Sequence, residues 1–182
     1  MNPKISDFGL AKMFGGNVSQ ANTIHIAGTY GYMSPEYALE GRFSIKSDVF
    51  SFGVLQLEVI SGKKNTGFYQ SESLNLLSHA WELWCAGKAL QLVDPALEHD
   101  LDADITVMRY INVALLCVQE IAGDRLTMSE VVSMLTNENI TILSPKQAAF
   151  SNLRSTRVPV QPISPPELCS QNGMTVSAMK PR

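Results

Sequence analysis

The segment from Lys46 to Ser61 constrains the fold most, because its apolar side chains leave almost no polar face. Gly62 follows it at the position of a C-terminal helix cap. A helix that is apolar all round is buried on all sides, and about 16 residues are too few for a membrane span. The segment therefore predicts the central helix of a helical domain. Its large apolar residues are Val49, Phe50, Phe52, Val54, Leu55, Leu57, Val59 and Ile60.

Three later segments predict further helices around this one. Residues 73–87 are amphipathic, and residues 104–120 are mostly apolar. Thr127-Met128-Ser129-Glu130 is a capping box, and the apolar residues after it recur at helical spacing. The amphipathic segment carries Leu74, Leu77, Trp81 and Trp84 on one side, which indicates helix packing rather than a ligand site.

After about residue 143 the periodic pattern stops. The stretch 144–182 holds six of the nine prolines and five Lys/Arg against one Glu. Such a composition buries too little apolar surface to offset its ordering entropy. We therefore expect a helical domain over residues 1–143 and a disordered, Pro-rich, basic tail over 144–182.

Charge and cysteine usage limit the classes of partner. The net charge is −3 over 182 residues, which gives no sign of a nucleic-acid partner. No apolar run approaches the ~18 residues of a membrane span. The three cysteines show neither paired nor zinc-like spacing, which favours reduced thiols in the cytosol.

Two tripeptides bracket a polar segment near the N-terminus. Asp7-Phe8-Gly9 lies in a predicted short strand at residues 5–12 that turns at Phe8-Gly9. Ser34-Pro35-Glu36 predicts a helix start, with Ser as cap, Pro at the first position and Glu beside the positive helix end. In protein kinases D-F-G places a metal-binding Asp, and A-P-E ends the activation segment. The pair therefore indicates phosphoryl transfer.

Longer runs carry a more specific resemblance. Residues 4–11, 28–37 and 46–54 resemble the C-terminal lobe of plant receptor-like serine/threonine protein kinases of the S-domain and cysteine-rich subfamilies. The likeness continues through Asp124-Arg125 to about residue 143. It implies a mainly α fold, the C-terminal helical lobe of the bilobal α+β kinase fold. It also implies an activation segment over 7–36 and a helical core over 37–143.

The resemblance assigns nucleotide contacts to the D-F-G residues. It implies that Asp7 binds the Mg²⁺ that bridges the ATP phosphates. It also implies that Phe8 packs inward and that Gly9 gives the backbone freedom to move the pair. Taken alone, Asp7 also fits an ordinary turn with a structural Phe beside it.

Other positions match regulatory and substrate-binding residues. Ser19 and Thr23 lie where the family is phosphorylated, although hydroxyl residues are common in any polar loop. Thr29 after Gly28 matches the substrate-docking loop and favours a Ser/Thr acceptor. The alternative for Thr29 is a turn between glycines.

Three further residues match structural positions of the family. Glu36 and Arg125 match a buried ion pair that ties the activation segment to the helical core. Leu126 stands where the family usually places Pro. Asp48 resembles an acid that accepts backbone N–H groups from the catalytic loop, or it is a first-turn acid favoured by the helix dipole.

Parts of the kinase machinery do not occur in this sequence. It contains no G-x-G and no H-R-D, so neither a catalytic base nor the catalytic-loop Asn is assigned. The sequence is therefore interpreted as a truncated product without the N-lobe and the catalytic loop. We expect some of Val49, Phe52 and their neighbours to face water.

Two functions follow from these observations. The first is a part of a receptor-like kinase that transfers the ATP γ-phosphoryl group to protein Ser/Thr, with ATP and Mg²⁺ as cofactors. The chain alone is expected to be inactive and not to bind them measurably. The second is a non-catalytic interaction module or dominant-negative fragment. It would dock on intact receptor-like kinases, on shared substrates or on the missing kinase portion, through residues 28–40 and the amphipathic helix at 73–87. The intact kinase is expected at the cytoplasmic side of the plasma membrane, and this chain in the cytosol.

Overall fold

The computed structural model describes residues 4–12, 19–65, 75–97, 101–141 and 143–151. Helices dominate this part of the chain, so the mainly α prediction is confirmed. Among the described helices, none combines the length and the hydropathy needed to cross a bilayer. The α-helices are α1 (Pro35–Glu40), α2 (Ile45–Ser61), α3 (Leu76–Cys85), α4 (Leu101–Cys117) and α5 (Met128–Thr136). Short 3₁₀ turns lie at Phe8–Leu10, Tyr30–Tyr32, Ala89–Leu92 and Ala122–Asp124.

A small antiparallel sheet joins the predicted activation segment to the helical core. It consists of β1 (Gln20–Asn22) and β2 (Arg42–Ser44), with Gln20 opposite Ser44. The backbone N–H of Thr23 extends the pairing by donating to the carbonyl of Gly41 at 2.9 Å. The sheet holds the segment before α1 against the chain that follows α1.

Helix α2 is the central helix that the sequence predicts. The hydroxyl of Ser44 accepts from the N–H of Lys46 at 3.1 Å, and the Ser47 hydroxyl accepts from the N–H of Ser44 at 3.1 Å. These contacts form a capping box at its start. Gly53 lets α4 approach closely, since a Cβ there would lie 2.6 Å from the Cβ of Cys117. The helix therefore packs against α4 with little space between the two backbones.

The core forms two clusters around α2. The larger one lies between α2, α3, α4 and residues 148–150, and the smaller one lies between α2, α4 and α5. Val49 belongs to the smaller cluster and is 1% exposed, and Phe52 packs against it. Val49 therefore does not face water and Phe52 is half-buried, so the expectation holds for their neighbours on the helix. The water-exposed apolar residues of α2 are Ile45, Leu55 and Val59.

Helices α3 and α5 start at side-chain caps. The Oδ1 of Asn75 accepts from the N–H of Ser78 at 2.8 Å, and Thr127 and Glu130 form the predicted capping box. Trp81 and Trp84 are half-buried and pack against the larger cluster. Leu74, which the sequence placed on this helix, lies outside the described residues.

Residues 145–150 depart from the predicted disorder that begins at Ser144. Ala148 and Ala149 are completely buried, and Ala148 forms an antiparallel bridge with Gln119. The composition of the whole stretch is dominated by proline, so it did not reveal the short apolar run Ala148-Ala149-Phe150, which packs beside the backbone of Gln119. Residues 152–182 lie outside the described residues, so disorder there stays a prediction.

Candidate functional site

The D-F-G tripeptide forms an exposed turn rather than the end of a strand. Residues 4–7 have no regular structure, and Phe8–Leu10 is a 3₁₀ turn. A strand requires a neighbouring edge for its hydrogen bonds, and the described part of the chain forms a sheet from β1 and β2 alone. Phe8 is 69% exposed, so the expectation that it packs inward is wrong here. The 3₁₀ turn buries none of its residues.

Asp7 has an unusual backbone conformation. Its φ of 60° and ψ of 70° lie in the left-handed region, and its carboxylate caps no helix N–H group. Left-handed backbone is uncommon for residues other than glycine, and such strain concentrates at functional sites. A Cβ at Gly9 would lie 3.4 Å from the Oδ1 of Asp7, so the glycine leaves room beside the carboxylate.

Asp7 is the acidic residue of the D-F-G turn, so its carboxylate is the group there that could contact a metal ion. Within residues 4–12, 19–65, 75–97, 101–141 and 143–151, no group of three or more His, Cys, Asp or Glu could hold a metal ion. Mg²⁺ in phosphoryl-transfer sites commonly takes one or two carboxylates together with phosphate and water oxygens. A single exposed carboxylate therefore fits one ligand position of such a site.

A cavity of about 290 Å³ brings several predicted site residues together. Its walls come from the residues after D-F-G, from the predicted docking loop and from the start of α2. Gly28, Thr29 and Asp48 all line it. Asp48 lies in the first turn of α2 and its carboxylate is exposed. This position is compatible with both predictions for Asp48, a first-turn acid favoured by the helix dipole and an acceptor for N–H groups of a catalytic loop. The remaining lining includes Leu10, Ala11, Lys12, Tyr32, Tyr37 and Ser51.

The predicted docking loop is fixed by three hydrogen bonds, two of them to α2 and one to Asn65, which follows that helix. The hydroxyl of Tyr32 donates to Oε2 of Glu58 at 2.6 Å, and Ser51 Oγ donates to the carbonyl of Tyr32 at 2.8 Å. Asn65 Nδ2 donates to the carbonyl of Gly31 at 2.7 Å. The hydrogen bond to the Glu58 carboxylate, together with burial, raises the pKa of Tyr32. The loop next to Thr29 is therefore held in place before any ligand binds.

Sequence reasoning missed these anchors. Glu58 is an acid between apolar residues of α2, and a buried or half-buried acid needs a partner. That signal was available in the sequence. Asn65 also accepts from the N–H of Leu76 at 3.2 Å, so it connects the docking loop to the start of α3. No local pattern marks Asn65, since both partners are distant in sequence.

A second set of contacts lies around Tyr37, at one wall of the cavity. Its hydroxyl donates to the carbonyl of Ala27 and accepts from the N–H of Ala27, both at 3.0 Å. Lys12 donates to the carbonyl of His25 at 3.3 Å, and its ammonium lies 4.9 Å from the ring centroid of Phe43. These contacts link the residues after D-F-G to the end of the activation segment.

The candidate phosphorylation positions lie beside β1. Ser19 is exposed and directly precedes the strand. Thr23 directly follows the strand, and its hydroxyl donates to the carbonyl of His25 at 3.2 Å. The structure places both hydroxyls outside the core, at the segment that pairs with β2.

Glu36 and Arg125 form the ion pair that the resemblance implies. Nη1 and Nη2 of Arg125 donate to Oε1 and Oε2 of Glu36, each at 2.8 Å. Arg125 is 2% exposed, and its guanidinium lies 5.0 Å from the ring centroid of Phe50. Burial alone would raise the pKa of Glu36, but the hydrogen bonds and charge of Arg125 outweigh it and lower that pKa.

Main-chain carbonyls complete the surroundings of Arg125. Its Nε donates to the carbonyl of Gln119 at 2.8 Å, Nη2 to that of Glu120 at 3.1 Å, and Nη1 to that of Lys46 at 3.2 Å. A guanidinium has five N–H donors, so each has a partner. Leu126 at the family's usual Pro position leaves the pair intact and is itself buried.

Comparison with known proteins gives a consistent picture. The family model for protein tyrosine and serine/threonine kinases matches residues 1–135. A G-type lectin S-receptor-like serine/threonine-protein kinase of Arabidopsis thaliana is 54% identical over 180 residues, which is 97% of this chain and 21% of the relative. Cysteine-rich receptor-like protein kinase 10 of the same plant is 53% identical over 148 residues, covering 81% of this chain and 22% of the relative.

A solved structure is similar as well. The pseudokinase domain of BIR2, an immune regulator of the RLK/Pelle family, superposes with a TM-score of 0.53 at 26% identity. The match covers 59% of this chain and 32% of that chain. The chain spans about a fifth of the length of the curated relatives that it matches.

Proposed function

This chain belongs to the protein tyrosine and serine/threonine kinase family, and on that premise we propose that it supplies the activation segment and helical lobe of a receptor-like serine/threonine kinase. Such a kinase transfers the γ-phosphoryl group of ATP to a protein hydroxyl. The observation that carries the proposal is the cavity shared by the residues after D-F-G, the docking loop and α2. The Glu36–Arg125 pair holds the end of the activation segment beside it.

The proposed chemistry is an in-line displacement at phosphorus. The oxygen of the acceptor hydroxyl forms a bond to the γ-phosphorus, the bond from that phosphorus to the β,γ-bridging oxygen breaks, and ADP leaves. The hydroxyl proton would pass to the Asp of an H-R-D loop in the intact kinase. Bound Mg²⁺ would neutralise the charge on the phosphates. Asp7 would offer it a hard carboxylate oxygen, and the left-handed backbone of Asp7 would fix the direction of that oxygen.

The docking loop would position the acceptor segment. Gly28 and Thr29 lie at the cavity wall, and Gly31 and Tyr32 next to them are already hydrogen-bonded to Asn65 and Glu58. A loop that is fixed in advance loses little entropy on binding, so the acceptor is held in a reactive geometry. Thr29 would orient a serine or threonine hydroxyl.

Regulation and location follow from the same premise. A phosphate on Ser19 or Thr23 would add nearly two negative charges beside β1. The relatives are named as receptor-like kinases, which supports a position on the cytoplasmic side of the plasma membrane. The sequence contains no H-R-D, so we expect the chain alone to transfer no phosphate.

A chimera tests the proposal directly. The kinase residues that precede D-F-G in the 54% identical Arabidopsis relative are joined to residues 7–182 of this chain. Transfer from radiolabelled ATP is measured with matched peptides that contain either Ser/Thr or Tyr. We expect transfer to Ser/Thr peptides, and a loss of at least about a hundredfold in the Asp7→Asn variant.

The matched control is Glu138→Gln, which removes another exposed carboxylate outside the cavity. It should transfer at the rate of the unchanged chimera. A folded chimera without transfer, or one that tolerates Asp7→Asn, would refute the proposal.

A second candidate function is a non-catalytic binding module. It is favoured by the likeness to a domain described as a pseudokinase. In the same experiment, an inactive chimera that still binds the Ser/Thr peptide without nucleotide would support this function over the first.

A further inference from the structure

We infer that residues 145–150, here called the C-terminal strap, hold Arg125 in place and so position the end of the activation segment, with Phe150 as a positioning residue. The inference rests on the proposed function, because the segment is taken to present the docking loop. The observations that carry it are the contacts of the strap with residues 118–120 and with Phe50.

The backbone of residues 118–120 faces the strap on one edge. The N–H of Ala149 donates to the carbonyl of Val118 at 2.8 Å, and the N–H of Glu120 donates to the carbonyl of Gln147 at 3.1 Å. Ala148 and Ala149 are fully buried there. The strap therefore acts as a short partner strand for this segment.

The same segment faces Arg125 on its other edge. The carbonyls of Gln119 and Glu120 accept from the guanidinium at 2.8 and 3.1 Å. The carbonyl of Val118 therefore binds the strap, whereas the carbonyls of Gln119 and Glu120 bind the arginine. Displacing the strap would release the backbone that aims these carbonyls.

The buried side chain of Gln119 joins the two edges. Its Oε1 accepts from the N–H of Lys146 at 2.9 Å, and its Nε2 donates to the carbonyl of Asp124 at 2.6 Å. Gln119 is 2% exposed, and its amide therefore links the strap to the residue directly before Arg125.

An aromatic contact gives a third connection. The guanidinium of Arg125 lies 5.0 Å from the centroid of the Phe50 ring. The ring of Phe150 meets the Phe50 ring edge-on, with 6.4 Å between the two ring centroids and an interplanar angle of 83°. Edge-to-face aromatic pairs and cation–π contacts are both attractive in this geometry. Phe150 thus fixes the ring that Arg125 stacks on.

Phe150 keeps this position in spite of its backbone. Its φ is +59°, which is unfavourable for a bulky side chain. Its carbonyl accepts from the hydroxyl of Ser78 at 2.9 Å, so α3 holds the strap in this conformation. Strain of this kind persists only where surrounding contacts enforce it.

Hydrogen exchange on the complete 182-residue chain tests the inference. The reporters are the α1 amides of Ala38 and Gly41, which donate to Ser34 and Tyr37, and the reference is α5. We expect Phe150→Ala to speed exchange in α1 roughly two- to tenfold and to leave α5 unchanged. Ser144→Ala is the control, since Ser144 is exposed and directly precedes the strap, and it should change neither helix.

Two further variants keep the result decisive. Phe150→Gly removes the ring and also relieves the backbone strain, so it should speed α1 while global stability is retained. Phe150→Leu replaces Phe150→Ala if the latter does not fold. Unchanged exchange in α1, or equal acceleration in α1 and α5 for Phe150→Gly, would overturn the inference. The measurement uses no nucleotide, so an inactive chimera would leave its outcome intact.

Discussion

Replacing Arg125 by alanine tests how the end of the activation segment is held. The guanidinium makes five hydrogen bonds: two to Glu36, and one each to the carbonyls of Lys46, Gln119 and Glu120. The substitution removes all of them. It also leaves the Glu36 carboxylate partly buried without a cation.

The expected loss is large for this reason. Removing one partner of a buried ion pair costs about 3–5 kcal/mol, because the other charge is left without compensation. A hydroxyl donor from Ser47 at 3.2 Å remains for Glu36, but it supplies no charge. Since whole domains are stable by roughly 5–15 kcal/mol, the variant should lose a major share of its stability.

Urea unfolding followed by the fluorescence of Trp81 and Trp84 measures the effect. Arg42→Ala is the control, because its pair with Glu40 is exposed at 46% and 53% and such pairs contribute about 0–1 kcal/mol. Adding Glu36→Gln to Arg125→Ala should recover part of the loss, since it removes the stranded charge. A loss below about 1 kcal/mol for Arg125→Ala would refute the reasoning.

Three other predictions use different properties of the structure. The pKa of Glu36 is lower in the folded chain than its ordinary value of 4.5. The ionised Glu36 therefore stabilises the fold above pH 4.5, and this stabilisation is lost as the pH falls through the folded-state pKa. Acid unfolding curves should show this loss, and Glu36→Gln should lack it. Gly41→Ala should destabilise the chain far more than Gly87→Ala in urea unfolding. Both have φ near +65°, but a Cβ at Gly41 would lie 2.0 Å from the Thr23 carbonyl, whereas Gly87 has nothing within 4 Å. Burial raises the pKa of Cys117 to about 12, so iodoacetamide should alkylate the exposed Cys85 and spare Cys117 until the chain unfolds, as peptide mass spectrometry would show.

The helices were predictable because their signals are local. The apolar run of α2, the cap at Gly62 and the capping box at Thr127 are each contained in one short stretch. The Glu36–Arg125 contact came from a resemblance to a family, since nothing in the periodicity connects two residues so far apart.

The missed features all depend on contacts that are distant in sequence. Asn65 acts through Gly31 and Leu76, and no spacing rule joins these three. The strap was assigned to a disordered tail because composition was averaged over many prolines, although its Ala-Ala-Phe run packs on Phe50. The predicted inward packing of Phe8 was wrong: Phe8 lies in a 3₁₀ turn in which no side chain is buried.

The proposed metal-binding role of Asp7 is tested most directly by Mn²⁺ in place of Mg²⁺. Electron paramagnetic resonance of the chimera measures the affinity for Mn²⁺·ATP in the unchanged protein, in Asp7→Asn and in the Glu138→Gln control. The account predicts that Asp7→Asn weakens this affinity by at least roughly tenfold, while the control binds as the unchanged protein does. Equal affinity in all three proteins would contradict it.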